Sequence, residues 1–158
     1  MNAHYYYIDT CSLKWRYLNG KPTADVDRLM DDKGNTVLTA ELTILEWSSA
    51  LARAYRRGSI DKDTFKCNEI ALMTDIFIGK LEILPLVPRT IERARYLIEY
   101  VGVEKGLNLR SGDSIQLISA LDAATRLTSR LTFVTSNHGL ANIVANVDII
   151  HQYLDLMY

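Results

Sequence analysis

The stretch LTFVTSNHGL, residues 131–140, runs from apolar and β-branched residues through a polar trio into residues that open a helix. Four residues of the LTFV type read as a buried strand. Thr135, Ser136 and Asn137 then fall at its carboxyl end, where short polar side chains either cap the next helix or build a site. The same grammar occurs at the other end of the chain. HYYYID (residues 4–9) is aromatic and β-branched and ends in Asp9, and TCSLKWRYL (residues 10–18) follows as a helix with Thr10 as its expected cap. Two strand-to-helix turns of this kind predict a layered α/β arrangement.

Between them the alternation continues. Asn19 and Gly20 punctuate the first helix, and Pro22 suits the first turn of a second, carried on by ADVDRLMDDKG to Gly34. TVLT (residues 36–39) reads as a short strand. Residues 41–57 place Leu42, Leu45, Ser49, Leu51 and Ala52 on one helical face, closed by Arg56, Arg57 and Gly58. A long helix is expected over residues 61–80, a buried strand over LEILPL (residues 81–86), and a helix from Pro88 to about Lys105. In NLRSGDSIQLISALDAATRLT (residues 108–128), Ser111 is the expected cap and Ile115, Ile118, Leu121 and Leu127 the core face. After LTFVTS come a short helix and a last strand, VDIIHQY (residues 147–153).

Strands separated by helices predict a three-layer α/β sandwich with a mostly parallel central sheet and helices on both faces. In such sheets sites form beyond the carboxyl ends of the strands. Asp9 and Asn137 are therefore candidates to meet in space.

At 158 residues the chain is expected to form one domain over residues 1–158 and to bury roughly two-thirds of its unfolded surface. Hydrophobic residues make up 48% and charged ones 23%, the balance of a globular protein. A net charge of −1 excludes bulk electrostatics as the means of holding a polyanion, so any nucleic acid needs a local patch or metal ions. Cys11 and Cys67 form no CxxC pair, which argues against a zinc ribbon or disulfide framework and for reduced thiols in the cytoplasm. The amino terminus has no signal-peptide pattern, and no apolar run approaches the ~20 residues of a membrane span.

Four segments, YYIDTCSLKWRY, LTAELTILEWSSALAR, LRSGDSIQLISAL and FVTSNHGL, stand in the order and at the spacing of the four motifs of PIN-domain ribonucleases of the VapC toxin type. The resemblance covers nearly the whole chain. It sets the family's acids on Asp9, Glu46 and Asp113, and puts Asn137 where the family carries a fourth Asp. It implies a PIN-like fold and hydrolysis of single-stranded or structured RNA with Mg²⁺ or Mn²⁺. Asp9, Glu46 and Asp113 would be metal ligands, directly or through water, and an activated water the nucleophile. Thr10, Thr135 and Ser136 would orient them from behind. A small antitoxin protein as partner and a homodimer are implied too.

Each residue also has a plainer reading. Asp9 suits a turn or cap. Glu46, between Leu45 and Trp47, either turns to solvent or is buried with a partner, since an unpaired buried charge is too costly. Asp113 suits the positive end of a helix dipole. Together they suit phosphodiester hydrolysis, because hard cations take oxygen ligands and offset the repulsion between carboxylate and phosphate. Asn137 is nearly isosteric with Asp but brings no charge. Arg53, Arg56 and Arg57, with Lys14, Arg16 and Arg110, are surface charges or a track for RNA phosphates. His4, His138 and His151 show no ligand spacing, and Tyr5 to Tyr7 with Trp15 and Trp47 read as core or dimer contacts. Two rivals remain: a catalytically weakened PIN-like module that binds RNA or protein, which Asn137 favours, and a phospho-acceptor receiver, for which LEILPLV supplies no nucleophilic Asp.

Overall fold

The computed structural model describes residues 4–18, 23–127, 130–146 and 154–157. Strand β1 (His4–Ile8) leads into helix α1 (Thr10–Tyr17), then α2 (Thr23–Asp31), β2 (Asn35–Ala40), α3 (Leu42–Arg56), α4 (Lys62–Phe77) and β3 (Glu82–Leu84). Helix α5 (Pro88–Glu99) ends in a π-helical turn (Tyr100–Glu104), followed by α6 (Ser111–Arg126), β4 (Leu131–Val134), α7 (His138–Asn146) and β5 (Leu154–Met157). Asn19, Gly20, Pro22, His151 and the strand expected at VDIIHQY lie outside the described residues, and the fifth strand lies just beyond them.

The five strands form one parallel sheet in the order β3-β2-β1-β4-β5. From β1 the chain builds outward to β2 and β3, then returns to place β4 on the other flank of β1. The β1/β4 boundary is thus the point where successive connections leave in opposite directions, and it opens a crevice at the strands' carboxyl ends. Register pairs Ile8 with Val134, so Asp9 and Thr135 emerge side by side.

Alternation along the strands divides the core into two layers. Tyr7, Leu38 and Phe133 face α5, α6 and α7, where Leu97, Leu117, Leu121 and Leu140 are buried. Ile8, Val37 and Val134 face the other layer, with Leu13, Leu29, Trp47, Leu51 and Leu72 from α1, α2, α3 and α4. Strands β1, β2 and β4 thus contribute buried residues to both faces, the reason they read as near-continuous apolar runs. Arg16 ties α1 into that second layer. Its guanidinium donates to Asp75 at 2.6 Å, Asp27 at 3.0 Å and Asp31 at 3.0 Å, and the Tyr17 hydroxyl donates to Asp75.

Several expected boundaries and faces move. LEILPL contributes only three strand residues at the sheet edge, Glu82 exposed and Ile83 and Leu84 half-buried, because Pro85 can donate no ladder hydrogen bond. The cap of α1 is Asp9, whose carboxylate accepts the Ser12 N–H at 2.8 Å, and Thr10 is the first helical residue. Ser111 likewise lies inside α6, preceded by Arg110, which makes no side-chain cap. On α3 the buried residues are Thr43, Trp47 and Leu51, while Leu45 is 68% exposed. Trp47 is bulky enough to set the helix's rotation at the expense of Leu45. Helix α3 stops as expected, with Gly58 in the left-handed region at φ +69°.

Candidate active site

A cleft of about 610 Å³ opens at the carboxyl ends of β1 and β4 and is lined by Asp9, Glu46, Asp113 and Asn137 together. The four residues come from β1/α1, α3, α6 and the β4/α7 turn. Thr10 and Cys11 line it as well, with Lys14, Arg53 and Arg110 as its basic rim. Of the other basic residues, Arg16 is taken up by its three aspartates, and Arg56 and Arg57 are not on the cleft wall. His138 opens α7 without lining the cleft, and His4 is exposed at the start of β1, the end of the strand away from Asp9.

Asp9 is held on both sides. One oxygen accepts the Ser12 N–H, and the other accepts the Thr135 hydroxyl at 2.6 Å. Only 2% of the residue is exposed, and burial pushes its carboxyl up to about 6, with Thr135 and Ser12 opposing the rise and Asp113 adding to it. Asp113, in the first turn of α6, is also raised, chiefly by burial and further by Glu46, against the lowering influence of Arg110 and Asn137. The Cys11 thiol is pushed up to about 11, first by burial and then by Asp9. Burial is the main cause of both shifts, and the repulsion between the carboxylates across the cleft adds to it.

Glu46 lies at the far wall. Its Oε2 accepts from the Thr10 hydroxyl and from Gln116 Nε2, the latter at 3.0 Å. Its Oε1 lies so close to Gly112 that a Cβ there would sit 2.6 Å from it. Asn137 Oδ1 accepts the N–H groups of Gly139 at 3.1 Å and Leu140 at 3.3 Å, capping α7. That cap turns Nδ2 toward Asp113 at 3.5 Å, so the amide offers its neighbour a hydrogen and not a lone pair. Of the other expected residues, Thr10 contacts Glu46 and Thr135 contacts Asp9. Ser136 accepts from Trp15 Nε1 at 3.2 Å and does not line the cleft.

Gln116, Thr43 and Tyr7 were not foreseen. Gln116 stands three residues after Asp113 and Thr43 three before Glu46, spacings that put each on its acid's helical face. A glutamine inside SIQLISAL was the available signal.

The donor set is all hard oxygen, the chemistry of Mg²⁺ and Mn²⁺. Among the described residues no group of three or more His, Cys, Asp or Glu side chains is placed to hold a metal ion. Mg²⁺ is commonly held by one or two carboxylates with the rest of its shell water. The residues fit an ion held in that manner.

No protein-family model matches the chain, and no curated protein matches it. Solved structures do. A chain of VapBC2 from Rickettsia felis, bound to a DNA fragment from its promoter, is 17% identical, with TM-score 0.62 over 96% of both chains. FitAcB from Neisseria gonorrhoeae is 13% identical, with TM-score 0.64 over 97% of this chain and 96% of that one. FitAB bound to an IR36 DNA fragment is 14% identical, with TM-score 0.64 over 96% and 93%. At these identities what is shared is the fold.

Proposed function

We propose that the chain is a PIN-type endoribonuclease, one domain over residues 1–158, that cuts single-stranded or structured RNA with Mg²⁺ or Mn²⁺ and serves as the toxin of a toxin–antitoxin pair. The observation that carries this reading is the gathering of Asp9, Glu46, Asp113 and Asn137 in one basic-rimmed cleft at the sheet's switch point. The fold shared with VapBC2 agrees with the motif resemblance to VapC-type toxins. That resemblance also motivates a small antitoxin protein and a homodimer as assembly partners. Among the described residues no helix is long and apolar enough to cross a membrane.

A bound divalent cation supplies charge neutralisation at the phosphate and activation of water. Asp9, Glu46 and Asp113 would hold its oxygen shell, one or two of them directly and the rest through water. Thr135 and the Ser12 N–H keep the Asp9 carboxylate in one rotamer, and Asn137 screens Asp113 through its N–H. Lys14, Arg53 and Arg110 draw the RNA backbone to the cleft by charge-assisted contacts. The decisive experiment follows a labelled RNA with purified protein in Mn²⁺, in Mg²⁺ and in a chelator. Cleavage only with metal supports the reading, and none in any condition ends it. Arg53→Ala should weaken RNA binding and flatten its logarithmic salt dependence by about 0.7, the share of one phosphate on a single strand, while Mn²⁺ affinity, relieved of a nearby positive charge, should not fall.

A catalytically weakened RNA- or protein-binding module is favoured by one observation: Asn137 is spent on capping α7 and on Asp113. That reading predicts RNA binding without turnover. Gly112→Ala bears on the acids themselves. The added methyl must push the Glu46 carboxylate off the place where Thr10 and Gln116 hold it. The hydrogen bonds so strained offset what alanine gains as the better helix former, and the net change in stability should stay within about 1 kcal/mol. Mn²⁺ affinity should fall severalfold, and unchanged affinity by calorimetry would remove Glu46 from the ligand set.

A further inference from the structure

Gln116 is 2% exposed, yet every polar atom of its amide has a partner. Nε2 lies 3.1 Å from Thr10 Oγ1, 3.1 Å from Thr43 Oγ1 and 3.0 Å from Glu46 Oε2, three acceptors that share its two hydrogens. Oε1 accepts the Tyr7 hydroxyl at 2.6 Å. Hydrogen counting settles the direction of the whole chain, because each hydroxyl has one hydrogen to give. Thr39 gives its hydrogen to the Ile8 carbonyl at 2.7 Å, so the 2.7 Å contact between Thr39 and Thr43 is donated by Thr43. Thr43 Oγ1 is thereby left as an acceptor for Gln116. Thr10 gives its hydrogen to Glu46.

The amide cannot be reversed without loss at the Glu46 end, where Oε1 would face a carboxylate oxygen at the distance now bridged by an N–H. Tyr7 is fully buried and stacks on Phe133, with ring centroids 5.5 Å apart and planes 9° from parallel, so its ring cannot follow a moving amide. We infer that Gln116, locked by Tyr7, is a positioning residue that fixes the Glu46 carboxylate against the cleft wall with Oε1 over Gly112. The acid belongs to α3, but its placement is set from β1 and α6. This rests on the proposed metal-dependent reading, since the position matters through what Glu46 holds.

Gln116→Met keeps length and volume while removing both donors, and Tyr7→Phe removes the lock while keeping the stacked ring. The readouts are Mn²⁺ affinity by calorimetry and, in metal-free protein, exchange of the Gln116 side-chain amide protons by NMR. Gln116→Met should weaken Mn²⁺ binding about tenfold or more, the scale of losing an outer hydrogen-bond partner of a ligand. Tyr7→Phe should weaken it severalfold and speed amide exchange. The double variant should bind no more weakly than Gln116→Met alone, because the tyrosine acts only through the amide. A lowered melting temperature with unchanged Mn²⁺ affinity in Gln116→Met would mean packing alone and overturn the inference, as would additive losses in the double variant. Should Gln116→Met fail to fold, Tyr7→Phe decides by itself: wild-type affinity and wild-type exchange overturn the lock. Wild-type protein that binds no Mn²⁺ would sink the functional reading and this inference with it, whereas wild-type binding that survives Gln116→Met sinks the inference alone.

Discussion

Asp9→Asn is expected to cut metal-dependent RNA cleavage roughly a hundredfold or more, at least the upper end of what losing a ligand's supporting partner costs, and to make the metal-free protein more stable. The two effects have one cause. A buried carboxylate raised from 3.8 to about 6 holds a proton in the folded state that the unfolded chain has already released. Between about pH 4 and pH 6 the folded state therefore binds more protons, and stability contributed by this group falls as pH rises through that window. At 1.36 kcal/mol per unit the loss approaches about 3 kcal/mol and is complete above pH 6. Asparagine removes it. The replacement can still accept the Ser12 N–H as a helix cap, and its amide can donate to Thr135. The wild type should thus show a steeper decline in unfolding free energy from pH 4 to 6 than Asp9→Asn, both measured by urea titration in chelator. Comparing the two chains cancels groups of opposite sign, such as Asp31, whose carboxyl is lowered by Lys80 and Arg16. Parallel pH profiles would show that Asp9 is not strained by its burial. Added Mn²⁺ should raise the melting temperature of the wild type by mass action and do so less in Asp9→Asn.

The parts of this site that were legible in the sequence are those whose cause is local. A strand ending in Asp9 and another ending before Thr135 needed only the change from strand-forming residues to helix starters. Their adjacency followed from the general rule for parallel sheets. The register that sets Ile8 beside Val134 depends on packing across the sheet, which no local pattern encodes. Leu45 and Glu46 show the same limit. The apolar run LTILEW does not reveal which of its residues turns inward, and the answer depended on Trp47 finding room beside Tyr17, with ring centroids 5.3 Å apart. Gln116 stayed hidden because a polar residue on a buried helix has meaning only once Tyr7 on one side and Glu46 on the other are known. The plainer readings of Asp9 and Asn137 as caps were right as well, since both side chains cap helices while lining the cleft. In this fold a cap at a strand's carboxyl end is already at the crevice, so the two roles coincide.

Asn137→Asp is expected to strengthen Mn²⁺ binding about tenfold and to raise RNA cleavage, while destabilising the protein when metal is withheld. The cap survives, because aspartate serves the Gly139 and Leu140 N–H groups as well as asparagine does. What changes is the atom facing Asp113. An N–H that now lies 3.5 Å from Oδ2 becomes an anionic oxygen, beside a carboxylate that burial and Glu46 already raise. Without a cation the two acids repel, and one of them holds a proton at higher pH than before. With a cation the same pair becomes an additional anionic arm of the shell, and the repulsion turns into affinity. On the proposed reading, the asparagine would thus ease the metal-free cleft at the expense of its hold on the ion. Placing Asp113→Asn in the Asn137→Asp background separates this from a general effect of pocket charge, because the double variant carries the wild-type charge: affinity and cleavage should return to wild-type values if charge alone matters, and fall below them if Asp113 itself serves the metal assembly. Single-turnover cleavage across a Mg²⁺ titration, with calorimetry for affinity, reads both quantities. Equal affinity and cleavage in Asn137→Asp and wild type would make residue 137 a helix cap and nothing more, and would leave a cleft that works with Asp9, Glu46 and Asp113 alone.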